Sequence, residues 1–269
     1  QHDSAELDVV TYNVMVRACA MGAAWGQALS LHQEMQQHGC APDLYGYNAL
    51  ISACEKGGEW RRALALLAEI RRKCLLPDVI TYSATISACD KCEEWSCALA
   101  LLEEMQRQDL EPDAVAYGAA LGACSRAAEW RRALAVLEWA RWVGVEIDGI
   151  KYNVAISACE RAEEWWHGVA LFDEMRSCGH GPDVVAYSAM TSACEKGKEW
   201  RLAFGLLGAT RHASVELEVV TCTAAISASE KGHKWRLALL ALEEMPARGL
   251  EPDMVSFTSA IMSCSSSAS

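Results

Sequence analysis

No apolar run in this 269-residue sequence approaches the ~20 residues that a bilayer-spanning helix needs, so no membrane partner is expected. Basic charge is also short. Lysine and arginine total 24 against 36 aspartates and glutamates, a net charge of −12. That balance argues mildly against a nucleic-acid partner, because such proteins usually carry a basic footprint. A sum, however, says nothing of the sign on a particular face. The sequence has no Gly-x-Ser-x-Gly elbow and no phosphate-binding glycine loop. Nor do its 13 cysteines make an even count. Most recur at matching positions, and disulfides between such positions would need backbones closer than stacked helices allow. They read as small buried apolar residues of a reducing compartment. The chain begins at Gln1, which neither reveals nor excludes a targeting segment.

What the sequence does have is a period. Trp25, Trp60, Trp95, Trp130, Trp165, Trp200 and Trp235 stand 35 residues apart without a slip. Tyr12, Tyr47, Tyr82, Tyr117, Tyr152 and Tyr187 keep the same step, as do Cys19, Cys54, Cys89, Cys124, Cys159 and Cys194. A fixed period of this length predicts stacked repeats, each touching only its neighbours.

Within one period, Tyr47, Leu50, Ile51 and Cys54 fall at i, i+3, i+4 and i+7, the stripe of one helix. Asp43 is placed to cap it, and Gly57-Gly58 to break it. Trp60, Ala63, Leu64, Leu67 and Ile70 make a second stripe, which Leu76-Pro77 is expected to end. The alanines Ala53, Ala88, Ala123, Ala158, Ala193 and Ala228 mark a close helix approach. Each tryptophan, in phase with the stripe, is expected to be a core wedge between the two helices rather than a stacking platform. The expected fold is an all-α, right-handed superhelical solenoid of antiparallel helix pairs.

Off the apolar stripe lies a second face. It carries Val10, Tyr45, Ile80, Val115, Ile150, Val185 and Val220, one per period, with small polar residues such as Ser52, Ser87 and Ser157 nearby. An apolar side chain can hold a base plane while a neighbouring Asn, Ser or Thr reads its edge. Lys56, Lys91, Arg126, Arg161, Lys196 and Lys231 form a row of cations beside this face, preceded by acids at Glu55, Asp90, Glu160, Glu195 and Glu230. The cations suit either a phosphate track or the negative end of a helix dipole. The acids are expected to weaken attraction for RNA.

The unit running from Val79-Ile80-Thr81-Tyr82-Ser83 through Glu103-Glu104-Met105 to Glu111-Pro112-Asp113 resembles a pentatricopeptide repeat. The 34-residue tetratricopeptide pattern, with its different Trp-Leu-Gly-Tyr placement, does not fit. The resemblance covers seven units, 9–43, 44–78, 79–113, 114–148, 149–183, 184–218 and 219–253. Residues 1–8 look like the end of a preceding repeat and 254–269 like the first helix of an eighth, truncated one. Both ends read as cuts in a longer array.

The resemblance implies single-stranded RNA as partner, one base per repeat, read by the fifth and last residues of each unit. The pairs are Asn13 with Asp43, Asn48 with Asp78, Ser83 with Asp113, Gly118 with Asp148, Asn153 with Asp183, Ser188 with Glu218, and Thr223 with Asp253. In the family Asn with Asp favours uracil, and Ser or Thr with Asp favours guanine. The implied target is 5′-UUGxUxG-3′, open at the fourth base for want of a Gly118 side chain and at the sixth because Glu218 replaces Asp. The resemblance also implies phosphate contacts from the row of cations, an organellar location, a role in RNA processing, stabilisation, editing or translation, and protein partners that supply catalysis. No cofactor and no metal are expected.

Some members of the family carry a zinc deaminase with H-x-E and P-C-x-x-C motifs. Here His32-Gln33-Glu34 and Cys89-Asp90-Lys91-Cys92 lack the proline and sit at ordinary repeat positions, so no enzyme is expected. The rival reading is a protein-binding helical scaffold, which the acidic balance would suit. The restriction of the fifth position to Asn, Ser, Thr and Gly favours RNA.

Overall fold

The structure, a computed structural model, describes residues 8–213, 215 and 217–265. Fifteen helices and no strand occur among them. In chain order they are α1 (Val9–Met21), α2 (Trp25–Gln37), α3 (Leu44–Gly57), α4 (Trp60–Arg72), α5 (Val79–Lys91), α6 (Trp95–Arg107), α7 (Ala114–Arg126), α8 (Trp130–Val143), α9 (Gly149–Arg161), α10 (Trp165–Ser177), α11 (Val184–Lys196), α12 (Trp200–Ala213), α13 (Val219–Lys231), α14 (Trp235–Ala247) and α15 (Met254–Ser265). The expectation for residues 1–8 lies, but for Asp8, outside the described residues.

The chain forms two compact units, Gln1–Ala127 with Trp142–Val145, and Ala128–Arg141 with Glu146–Ser269. In the first, α1, α3, α5 and α7 stack in sequence, while α2, α4 and α6 each pack between their own first helix and the next. In the second, α9, α11, α13 and α15 stack likewise, with α10, α12 and α14 in the outer role. Each is an all-α repeat fold.

Aspartate starts the odd-numbered helices. Asp8, Asp43, Asp78, Asp113, Asp148 and Asp183 each accept from the amide three residues on, capping α1, α3, α5, α7, α9 and α11. A cap of this kind contributes about 1 kcal/mol. Glu218, with one more methylene, makes no capping bond at α13.

The helix stops differ from the sequence reading. Helix α4 ends at Arg72, four residues before Leu76, and Pro77 is not what stops it. The turn is closed by Cys74 in the left-handed region at φ 56°, where Leu75 N–H reaches back to Ile70 O at 3.1 Å. Gly39, Asp109, Gly144, Gly179 and Gly249 hold the same place in other pairs. The turn inside each pair closes the same way, at Ala23, Gly58, Glu93, Ala128, Glu163, Lys198 and His233. Glycine is the residue this conformation suits, and only Gly58 provides it there.

Between helices the recurring tyrosines are buried, from Tyr47 and Tyr82 at 0% exposure to Tyr187 at 4%. Their hydroxyls are not wasted: Tyr47 donates to Glu69 at 2.7 Å, and Tyr82 accepts from Arg71 at 2.9 Å. Arg71 also binds Glu104 of the next pair at 2.7 Å, so this seam joins successive outer helices. Arg141 and Glu174 repeat it at 2.6 Å. The alanines from Ala53 to Ala228 are buried to 1% or less, as close approach requires.

The tryptophans correct the wedge expectation. Six are half-buried and Trp235 is exposed. Their rings lie against the next helix pair: Trp25 against Gly57, Trp165 against Gly197 and Trp200 against Gly232. A Cβ added to any of these glycines would meet the ring within 2.4 Å. Arg62 covers the Trp25 ring at 5.0 Å and Lys234 that of Trp200 at 5.3 Å. The tryptophan is a seam residue between pairs.

Candidate nucleic-acid interface

The odd-numbered helices set two kinds of side chain at fixed places. Their second residues stand out from the surface: Val10, Tyr45, Ile80, Val115, Ile150, Val185 and Val220 are all exposed, between 49% for Tyr45 and 72% for Ile150. Large apolar residues left in water at one place per pair are not core, and burying each would gain roughly 1.5–3 kcal/mol.

The fifth residues lie deeper than the sequence suggests. Asn13, Ser83 and Asn153 are buried, and Asn48, Gly118, Ser188 and Thr223 half-buried. The cause is the capping aspartate of the next pair, which draws them in. Asn13 Nδ2 donates to Asp43 at 2.9 Å, Asn48 to Asp78 at 3.2 Å, Ser83 Oγ to Asp113 at 3.0 Å, and Asn153 to both oxygens of Asp183 at 3.0 Å. Each carboxylate thus performs two tasks, capping a helix and fixing a polar side chain of the previous one.

Three pairs depart. Thr223 reaches Asp253 only through Ser256, whose Oγ is 2.7 Å from Thr223 and 2.7 Å from the carboxylate. No hydrogen bond joins Ser188 to Glu218 among the described residues. Gly118 belongs to the first unit and Asp148 to the second. A Cβ on Gly118 would meet nothing within 4 Å, and Asp148 is held by Lys151 Nζ at 3.1 Å.

A third contributor escaped the sequence reading: the residue three places after each aspartate. Thr81 Oγ1 lies 2.6 Å from Asn48 Oδ1 and 2.7 Å from Asp78, sharing its one hydroxyl hydrogen between them, so the Asn48 amide is met from two sides. Gly46 instead leaves room for Asn13, whose Oδ1 lies 2.4 Å from where a Cβ would be. Ala186 offers nothing, and Asn153 Oδ1 is buried without a partner. The signal was present in the variation of this position from Gly to Thr to Lys within an otherwise regular period. Burial pushes the Asp78 carboxyl up, but hydrogen bonds from Thr81 and Asn48 outweigh it and hold the group below its ordinary range. Asp148 is likewise held low, by Lys151 acting against burial.

Four cations of the row are tied to the row of acids. Lys91 binds Glu55 at 3.1 Å, Lys196 binds Glu160 at 2.9 Å, Lys231 binds Glu195 at 3.0 Å, and Arg126 binds Asp90. Each link runs from one odd-numbered helix to the one before. Arg126, Lys196 and Lys231 also reach a backbone carbonyl at the preceding helix end. Gly122 makes room for one link, since a Cβ there would meet Asp90 within 2.5 Å. Sequence reasoning saw the acids beside the cations but could not see which pairs of helices they join.

The other motifs weighed in the sequence have structural surroundings. His32 is buried edge-on against Tyr47 and 3.8 Å from Glu69. Cys89 is in the core, and Cys92 Sγ donates to Gly58 O at 3.0 Å.

Models of three related families match the sequence: a PPR repeat family at residues 7–56 and 42–91, a pentatricopeptide repeat domain at 100–162 and 205–266, and a PPR repeat at 80–110 and 151–180. No curated protein matches it. Among solved structures, the maize pentatricopeptide repeat protein PPR10 is 26% identical with a TM-score of 0.72, over 95% of this chain and 36% of that one. The chain therefore spans about a third of that protein. PPR10 in complex with an 18-nt psaJ RNA element is similar at 22% identity and TM-score 0.53, over 96% and 46%. The pentatricopeptide domain of the Arabidopsis thaliana protein-only RNase P 1 in complex with tRNA gives 16% and 0.54, over 61% and 86%. With the period, the helix pairs and the family models in agreement, the chain belongs to the pentatricopeptide repeat family.

Proposed function

We propose that the chain binds single-stranded RNA sequence-specifically, one base per helix pair, and performs no catalysis itself. The observation that carries this reading is the alternation of two rows on the odd-numbered helices. Exposed apolar side chains stand on either side of polar groups held at fixed angles by carboxylates. Flat, sequence-neutral faces suit base stacking, worth about 1–3 kcal/mol per base. Between them the amide of Asn, a donor and an acceptor together, matches the N3–H and O4 edge of uracil. The solved relatives described as bound to RNA support the same partner.

On this reading the repeats are 9–43, 44–78, 79–113, 114–148, 149–183, 184–218 and 219–253, and the target is 5′-UUGxUxG-3′. The fourth and sixth bases are then the free ones, which is supported by the missing side chain of Gly118 and by the lack, among the described residues, of a bond from Ser188 to Glu218. An organellar role in RNA processing, stabilisation, editing or translation, with catalytic partners elsewhere, follows from the family.

The test is fluorescence anisotropy with an RNA containing the heptamer and a scrambled RNA of the same composition, at one stated salt concentration. At least tenfold preference for the heptamer is expected. Equal affinity refutes sequence reading. No binding to either refutes RNA binding and favours a protein-binding scaffold.

A further inference from the structure

We propose that the electrostatic grip on RNA is concentrated at one slot near the start of the chain, where Arg17 and Lys56 clamp the phosphates flanking a single uridylate. This deepens the RNA reading above and rests on it. The argument begins with the links between acids and cations. Lys91, Arg126, Lys196 and Lys231 each hold a carboxylate of the preceding helix, so each link offers a passing phosphate no net charge. Lys56 has no such partner, because Ala20 stands where α3, α5, α9, α11 and α13 carry the acid; α7 carries Ser125 there. No carboxylate among the described residues lies within ion-pair distance of Lys56 or of Arg17. Both are exposed.

Those two cations border the same cavity, about 400 Å³ in volume. Its walls are Tyr45 and Ile80, two of the exposed apolar residues, and Asn48 lines it between them. Arg17 donates to the Tyr45 hydroxyl and stands 5.9 Å from its ring, which fixes the guanidinium at the rim. Helices α3, α5, α7, α9, α11 and α13 carry Ser or Gly where α1 has Arg17. The slot therefore combines apolar walls, a fixed amide and two uncompensated cations. That is the chemistry of a phosphate-flanked pyrimidine, and it explains how a chain of net charge −12 could still hold a polyanion.

The test uses oligouridine of twelve residues and affinity measured across salt concentrations. With a single-stranded ligand the log–log slope is about −0.7 for each phosphate that the protein neutralises. The unaltered chain is therefore expected to show a slope near −1.4. Arg17→Gln with Lys56→Gln should flatten it and cost at least tenfold at low salt. Lys91→Gln, Lys196→Gln and Lys231→Gln together should change affinity less than threefold. Glu55→Gln, Glu160→Gln and Glu195→Gln together free three lysines, and should raise affinity and steepen the slope by about 2. Melting curves confirm that each variant folds. An unchanged slope in the Arg17/Lys56 variant, or an equal loss from the triple lysine variant, overturns the proposal while leaving RNA binding intact. If the unaltered chain binds no RNA, the functional reading falls and this proposal with it.

Discussion

At the scale of single residues, the aspartates do the most. Asp78 caps α5 and holds Asn48, so a base read by Asn48 is read through a group that is also structural. Asn48→Thr is expected to move the second base preference from uracil toward guanine, with discrimination changed by ~1–3 kcal/mol on the scale known for base-edge contacts. Four RNAs differing only at that base measure it; an unmoved preference with binding intact would exclude the pairwise code. The sign of the pH effect is fixed by the same carboxylate. Its folded pKa is lowered from 3.8, so its stabilising contribution is complete above that ordinary value and is lost as pH falls through the lower folded one. Asp78→Asn should then melt with less loss of Tm on acidification than the unaltered chain does. Cysteines divide by burial. Desolvation pushes Cys54, Cys159 and Cys222 up to about 11 and Cys89 and Cys194 to about 12, while Cys74 and Cys178 are exposed. Mass spectrometry after brief alkylation at pH 8 should find Cys74 and Cys178 modified and those five intact in the folded chain.

At the scale of the helix pair, stability rests on two seams and two turns. The seams are Tyr–Glu–Arg links between outer helices and acid–cation links between inner ones. The turns are closed by left-handed residues, and non-glycine side chains there cost roughly 1 kcal/mol each. Cys74→Gly and Asp109→Gly should each raise stability by about 1 kcal/mol in denaturant titrations, the entropy of a freer unfolded chain taking back part. A loss of stability at both sites would show that those turns are not strained. Much of the pair was legible in the sequence, since stripes of Tyr47, Leu50 and Ile51 can make only a helix with one buried face. The stop at Arg72 was not legible, because Cys74 has no intrinsic preference for the conformation it adopts. The tryptophan was misplaced because periodicity shows that a side chain packs, not which neighbour it packs against.

At the scale of the whole molecule, the fold class was legible from the 35-residue period alone, because identical units stacked in register admit few alternatives. The candidate interface was legible in part. Its apolar row and its polar row are both positions of the period, whereas the pairing of Lys91 with Glu55, 36 residues earlier, depends on how one helix rides on the next. So does the donation of Thr81 to Asn48. The central claim is that each pair reads one base independently. It is tested most directly by the dissociation constants, at one salt concentration, of 5′-UUGAUAG-3′ within a fixed flanking RNA and of its seven single-base variants. Changes at the first, second, third, fifth and seventh bases should each weaken binding, by ~1–3 kcal/mol if these contacts resemble base-edge contacts elsewhere. Changes at the fourth should be nearly neutral. A flat profile across all seven positions would contradict the account.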